Sequence, residues 1–179
     1  GPHGERTTLP SLDQELRFAY DHLKRTRPVV GLGLGAQIVC IAAGGRTAQT
    51  GTRVHTGIAR RVRDDALGGH MPESFPFVSF MRDDAVLPTD SEILAVDDDG
   101  APVVFTVGPD VICMTCHPGT GPLMLRSLAA EVKASEDELA TELAFVDQYF
   151  PEMTTALDSM MHGIAEATGW IVEDQGDTG

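Results

Sequence analysis

The densest chemical grouping in the chain is Val111-Ile112-Cys113-Met114-Thr115-Cys116-His117-Pro118-Gly119, an apolar run ending in two cysteines and a histidine. A histidine placed there can take or give a proton near neutral pH. Cys-x-x-Cys-His is also the attachment pattern of haem c, with Cys113 and Cys116 as thioethers and His117 as one axial ligand. Met124, Met153 or Met160 would supply the other axial ligand. The same cysteine pair is half of a zinc site, and His55, His70 and His162 are too scattered in sequence to complete it persuasively. A redox pair usually opens a helix, whereas this one ends a strand.

The second grouping is Gly31-Leu32-Gly33-Leu34-Gly35-Ala36-Gln37, read as strand, sharp turn and helix. Small residues on both sides of Gly33 let the backbone bend tightly and lift the apex above the end of a sheet, as in a nucleophile elbow. The following helix aims free N–H groups at that apex and favours an anion or oxyanion there. The same pattern would equally cradle a phosphate or serve as a mere tight connection.

Taken with the His-Pro strand, the elbow resembles that of the class I glutamine amidotransferases. Their elbow reads Gly-x-Cys-x-Gly-x-Gln, with a Gly-Gly pair closing the helix; Gly31, Gly35, Gln37 and Gly44-Gly45 match, and Gly33 stands in the cysteine position. Their later motif is a strand followed by His-Pro-Glu; His117 and Pro118 match, and Gly119 stands in the glutamate position. The likeness covers roughly residues 1–120. Gly1-Pro2 resembles the tail of the family's Gly-Gly-Pro loop, or is left over from cloning.

The resemblance implies an α/β fold, flavodoxin-like, with a mostly parallel central sheet flanked by helices, an antiparallel hairpin and a helical C-terminal extension. It also implies a triad in which a cysteine thiolate attacks the amide of glutamine, histidine is base and acid, and glutamate orients the histidine. Glycine at 33 cannot form the thioester, and glycine at 119 leaves a vestigial His117 unoriented. Leu34, Gly35 and Gln37 remain as ligand or oxyanion contacts. Cys40 lies two helical turns past the apex, about 10 Å along the axis, and reads as a buried core residue. Cys116 precedes His117 on one strand, so their side chains should point to opposite faces.

The expected function is that of a degenerate amidotransferase-like subunit without glutaminase activity. It would bind a partner or a ligand within a larger enzyme complex and need no cofactor. The alternatives are a hydrolase or amidotransferase-type enzyme that uses His117 without a cysteine nucleophile, and an electron-transfer protein carrying haem. The family's first strands are missing, so another chain, a synthase or a second copy should complete the sheet.

Several elements must hold these residues in place. Leu12–Thr26 reads as an amphipathic helix through Leu12, Leu16, Phe18, Ala19 and Leu23. Pro28–Leu32 reads as a buried strand and Leu34–Ala43 as a helix stopped by Gly44-Gly45. Residues 51–88 suggest short strands and irregular connections at a sheet edge. Glu92–Val96 and Val103–Val107 flank Asp97-Asp98-Asp99-Gly100, a hairpin signal because Asp-Gly supplies positive φ; the acidic run lacks the spacing of a calcium loop. Val111–Thr115 is a further strand. Helices follow over Pro122–Val132 and Glu136–Phe150, with Pro151 as a break and Thr155–Thr168 as a last helix, and Met153, Met160 and Met161 read as core. The organisation is one domain over residues 1–150, with a C-terminal helix and frayed tail over 151–179.

Composition narrows the classes. The 179 residues suit one α/β domain. A net charge of −14 argues against nucleic acid, which needs clustered Lys and Arg. Three cysteines, an odd and low count, point to a reducing, cytoplasmic setting. No apolar run approaches the ~20 residues of a membrane span.

Overall fold

The computed structural model describes residues 10–25, 27–117, 119–132 and 135–170. Along the chain run α1 (Pro10–Lys24), β1 (Val29–Leu32), α2 (Leu34–Ala42), β2 (Arg46–Arg61), β3 (Ser74–Val86), β4 (Ser91–Val96), β5 (Pro102–Val107), β6 (Val111–Met114), α3 (Pro122–Val132) and α4 (Glu136–Ala167). A short 3₁₀ turn at Ala66–Gly69 lies between β2 and β3. The strands form one sheet in the order β1-β6-β5-β4-β2-β3.

The α/β class and the flanking helices are as expected, but the sheet is mostly antiparallel. Among the described residues only β1 and β6 pair in parallel, from Val29 opposite Val111 to Leu32 opposite Met114; the other neighbouring pairs are antiparallel. Connection length explains the difference. A parallel neighbour needs a crossover of a dozen or more residues, whereas β4, β5 and β6 follow one another through residues 97–101 and 108–110. The β4–β5 hairpin turns as its Asp-Gly signal predicts. Gly100 has φ 81°, and Asp97 Oδ1 accepts from the N–H groups of Asp99 at 3.0 Å and Ala101 at 2.8 Å. That carboxylate therefore serves the turn.

Residues 51–88 do lie at the sheet edge, but in two long strands of 16 and 13 residues, with one irregularity between Gln49 and Arg53. Gly57 does not interrupt the ribbon because the Phe77 ring covers it, 3.2 Å from where a Cβ would stand. The sheet curls. Beyond β6 the chain reaches the opposite edge, where the His117 N–H donates to Val78 O at 2.7 Å and Ser79 Oγ donates to Thr115 O at 3.2 Å.

Alternation along β6 divides the core. Val111 and Cys113 pack with Ala19, Ile38, Val39 and Cys40 beneath α1 and α2. Ile112 and Met114 pack with Leu67, Met71, Met160 and Ile164 beneath α4. A third cluster joins Val78, Leu125, Leu143, Val146 and Met153. In α1 the expected apolar face is formed by Leu12, Leu16, Ala19 and Leu23, but Phe18 is 66% exposed. The α2 stop is a Schellman closure, with Gly44 N–H donating to Ile41 O at 3.1 Å and Gly45 N–H to Cys40 O at 2.9 Å. Gly44 supplies φ 92°. Gly45 supplies room, since a Cβ there would lie 2.6 Å from Cys40 Sγ.

The break expected at Pro151 is absent. One helix of 32 residues runs through it, and the boundary expected at residue 150 falls inside that helix. A proline inside a helix costs about 3 kcal/mol. The buried positions Leu143, Val146, Met153, Ala156, Met160 and Ile164 keep helical phase on both sides of it, and each large apolar side chain among them contributes about 1.5–3 kcal/mol on burial. Packing therefore wins. A capping box at Ser135 and Glu138 starts the helix. Gly1-Pro2, Thr26, Pro118 and the tail from Glu173 to Gly179 fall outside the described residues.

Candidate functional site

The turn between β1 and α2 has the geometry its sequence predicts. Gly33 has φ 54° and ψ −115°, a conformation that side-chain-bearing residues rarely adopt. Its N–H donates to Met114 O at 2.8 Å, anchoring the apex to β6. Gly31 is needed for space: a Cβ there would lie 2.9 Å from Ala36 Cα, so the missing side chain lets α2 start against the strand. Gly35 is not required in this way, because nothing lies within 4 Å of its absent Cβ. Leu34, the first residue of α2, is 60% exposed beside the apex, and Gln37 is buried one turn further on.

His117 stands directly over the apex. An ideal Cβ on Gly33 would lie 2.6 Å from His117 Nε2 and 2.9 Å from Cε1, closer than real Cβ contacts come. The ring is half-buried, and burial lowers its pKa below the ordinary histidine value, which favours the neutral form. Phe80 N–H donates to His117 Nδ1 at 3.3 Å. With Nδ1 accepting, the neutral ring carries its proton on Nε2, so the atom facing Gly33 is a donor. The Phe80 ring lies edge-on to the imidazole, centroids 6.3 Å apart. Thr120, fully buried, donates from Oγ1 to His117 O at 2.8 Å and holds the turn. Sequence reasoning missed Phe80 and Thr120, since neither carries a motif.

Gly119 has φ 75°, and a Cβ there would lie 3.1 Å from Leu157 Cδ2. Both facts oppose a longer side chain at that position. A narrow cleft lined by Phe77, Cys116, His117, Gly119, Met153 and Leu157 separates this turn from α4.

The cysteines do not substitute for a nucleophile at the apex. Cys40 is buried, as its helical position predicts, with Sγ donating to Val86 O at 3.4 Å, and burial raises its pKa. Burial pushes the Cys113 and Cys116 thiols up to about 12. Cys113 packs in the cluster under α1 and α2, and Cys116 in the one under α4. The two thiols are thus buried on different sides of the sheet, and Met153 and Met160, two of the candidate axial ligands, are themselves core. The haem reading is therefore set aside on geometry. The strand also ends at Met114, so Cys116 and His117 lie beyond it rather than on it. Of the histidines considered for zinc, His55 sits apart against Phe77, whereas His70 and His162 meet, their ring centroids 4.7 Å apart.

On the groove side of β1, a concavity of about 560 Å³ runs between α1 and α2, lined by Phe18, Ala19, Val29, Gly31, Leu34 and Ile38, among others. β1 is the end strand of the sheet among the described residues.

No protein-family model matches the sequence, and a search of curated proteins finds no match. Solved structures do match. A glutamine amidotransferase from Thermotoga maritima superposes with TM-score 0.73 at 18% identity, covering 93% of this chain and 74% of that one. A glutamine amidotransferase from Methylobacillus flagellatus gives TM-score 0.66 at 15% identity, covering 87% of this chain and 70% of that one. A Thermoplasma acidophilum protein, provisionally assigned to GMP synthase as one of its subunits, gives 0.56 at 13% identity, over 89% and 70%. The fold is that of class I glutamine amidotransferase-like proteins. Among the described residues no helix is long and apolar enough to cross a membrane.

Proposed function

We propose that this chain is a degenerate glutamine amidotransferase-like protein, a binding subunit rather than a glutaminase. The observation that carries this reading is His117 Nε2 lying 2.6 Å from the site a Gly33 Cβ would occupy. The histidine fills the space in which a nucleophile's side chain would begin. Its Nε2 proton and the α2 N-terminus together suit a carbonyl or carboxylate oxygen held over the apex. The same proton makes the ring a poor general base toward a water there, which weighs against a hydrolase that relies on His117 alone.

Partner binding is the second half of the reading. The end strand β1, the apolar concavity beside it, and exposed Phe18 and Leu34 offer an edge and a flanking surface to another chain. The provisional assignment of one similar structure to GMP synthase fits assembly with a synthase. The three free, buried thiols suit a reducing, cytoplasmic setting.

A glutaminase assay on the full chain and on His117→Ala tests the first half. We expect no turnover above background for either; turnover abolished by the substitution would overturn the reading. Native mass spectrometry of protein from its own source tests the second half. A complex with another chain or a second copy is expected, and a lone chain would remove that half.

A further inference from the structure

His70, His162 and Glu166 form a cluster remote from the elbow in sequence and built from two elements. His162 and Glu166 are one turn apart on α4, with His162 Nε2 at 3.1 Å from Glu166 Oε1. His70 comes from the β2–β3 connection and places its Nε2 2.7 Å from Glu166 Oε2. One ligand atom from each of the three residues lies within 4.8 Å of the others.

The backbone is arranged to bring the two elements this close. Leu67, Gly68 and Gly69 have φ of 51°, 66° and 87°, a left-handed run that includes a buried leucine. Gly163 lies under this run. A Cβ there would sit 2.6 Å from Leu67 O and 2.9 Å from His70 Cβ, so only glycine lets the connection settle on α4. Ser159 Oγ donates to His70 O at 2.6 Å and ties the histidine's backbone to the same helix.

We infer that His70, His162 and Glu166 bind a zinc-type divalent cation, with a fourth position open to water or one oxygen donor. Two imidazoles and a carboxylate form a ligand set that zinc favours, and three protein ligands are the count of sites that keep an open position. Zinc bonds of about 2.0–2.1 Å arranged tetrahedrally put neighbouring ligand atoms roughly 3.3 Å apart. The 2.7 and 3.1 Å contacts end on different oxygens of Glu166, and separations of up to 4.8 Å among the three ligand atoms must close by about 1.5 Å at most to reach that spacing. The open side faces water, since the His162 side chain is 48% exposed. A chain of net charge −14 also draws cations. The bound ion would staple the β2–β3 connection to the C-terminal end of α4.

The test is titration of the full chain, stripped with chelator and free of any affinity tag, with Zn²⁺ alone and with Co²⁺ alone. Binding is read by calorimetry, by thermal denaturation and by the visible absorption of Co²⁺. The expected result is one ion per chain and a higher Tm with Zn²⁺. His162→Ala, at an exposed position, should fold and bind more weakly by more than the roughly tenfold to hundredfold that loss of an outer-shell partner costs. Glu166→Gln should alter the Co²⁺ spectrum. Equal affinity in the wild type and His162→Ala, an unchanged Co²⁺ spectrum in Glu166→Gln, or no stoichiometric binding to the wild type would each overturn the inference. The outcome is independent of glutaminase assays, because the elbow contributes nothing to it.

Discussion

At two glycines among the described residues, Gly33 and Gly163, a Cβ would come within 3 Å of a histidine, and the two places differ in what the glycine allows. At the elbow, Gly33 faces the tip of the His117 ring, and the ring's other nitrogen accepts from a backbone N–H. At the far end of α4, Gly163 faces the backbone of Leu67 and the root of His70, whose ring reaches past it to Glu166. In the first case the missing Cβ leaves room for a polar ring directly over the apex. In the second it lets two elements touch so that three ligand-type groups converge. A glycine's meaning therefore depends on whether its neighbour is a movable side chain or a fixed backbone.

Alanine substitutions sharpen that contrast. Gly163→Ala should be the most damaging. Replacing a helical glycine gains about 1 kcal/mol, but a methyl against Leu67 O forces backbone movement, and overpacking costs about 1–3 kcal/mol or more. A net loss of about 2 kcal/mol would lower Tm by roughly 4–8 °C, and a Tm equal to wild type would break the comparison.

Gly33→Ala should cost less. The strained conformation carries about 1–3 kcal/mol, partly offset by roughly 0.4–1 kcal/mol from a stiffer unfolded chain, and the His117 ring can swing away. A net loss of about 1 kcal/mol in denaturant unfolding is expected, with a displaced His117 resonance. Gly35→Ala meets open space on a helix and should gain about 0.5 kcal/mol. Destabilisation there would mean that the elbow needs its third glycine after all.

The smallest effect is in pH dependence. Burial lowers the pKa of His117 in the folded chain, so between that value and the ordinary histidine value the unfolded state binds more protons. Stability from this group is present above the unfolded pKa of about 6.5 and is lost as pH falls through the window to the folded value. In Gly33→Ala the ring should move toward water and its titration, followed by NMR, should return toward the ordinary value. An unchanged midpoint would show that His117 does not yield to the new methyl.

The elbow was legible because its signals are local: Gly31 for space, Gly33 for φ, and the Gly44-Gly45 closure all act within a few residues. The His-Pro turn was legible as a motif, although its partner Phe80, 37 residues from His117, was not. The corner at Glu166 was half legible. His162 and Glu166 are a readable helical pair, but His70 is 96 residues from Glu166, and only the curl of the chain joins them. Sheet direction is misread when one strand–helix unit is extended to the whole sheet, because the short links after β4 already require antiparallel neighbours. At Pro151 a single residue's propensity competes with a stripe that keeps phase from Leu143 to Ile164, and the stripe is the stronger signal.

That proline also has a dynamic consequence. α4 is about 48 Å long at 1.5 Å per residue over 32 residues. Pro151 has no N–H to give to Asp147 O, so the hydrogen-bond ladder lacks one rung midway along the rod, at an exposed position. The Val78 and Leu125 cluster holds α4 as far as Met153, and the Leu67 and Met71 cluster holds it from Ala156 to Ile164. Amide exchange in the native state should accordingly divide α4 into two cooperative units that open at different free energies, with the seam just after Pro151, between Met153 and Ala156. A cation at its far end would then slow the exchange of only one of them.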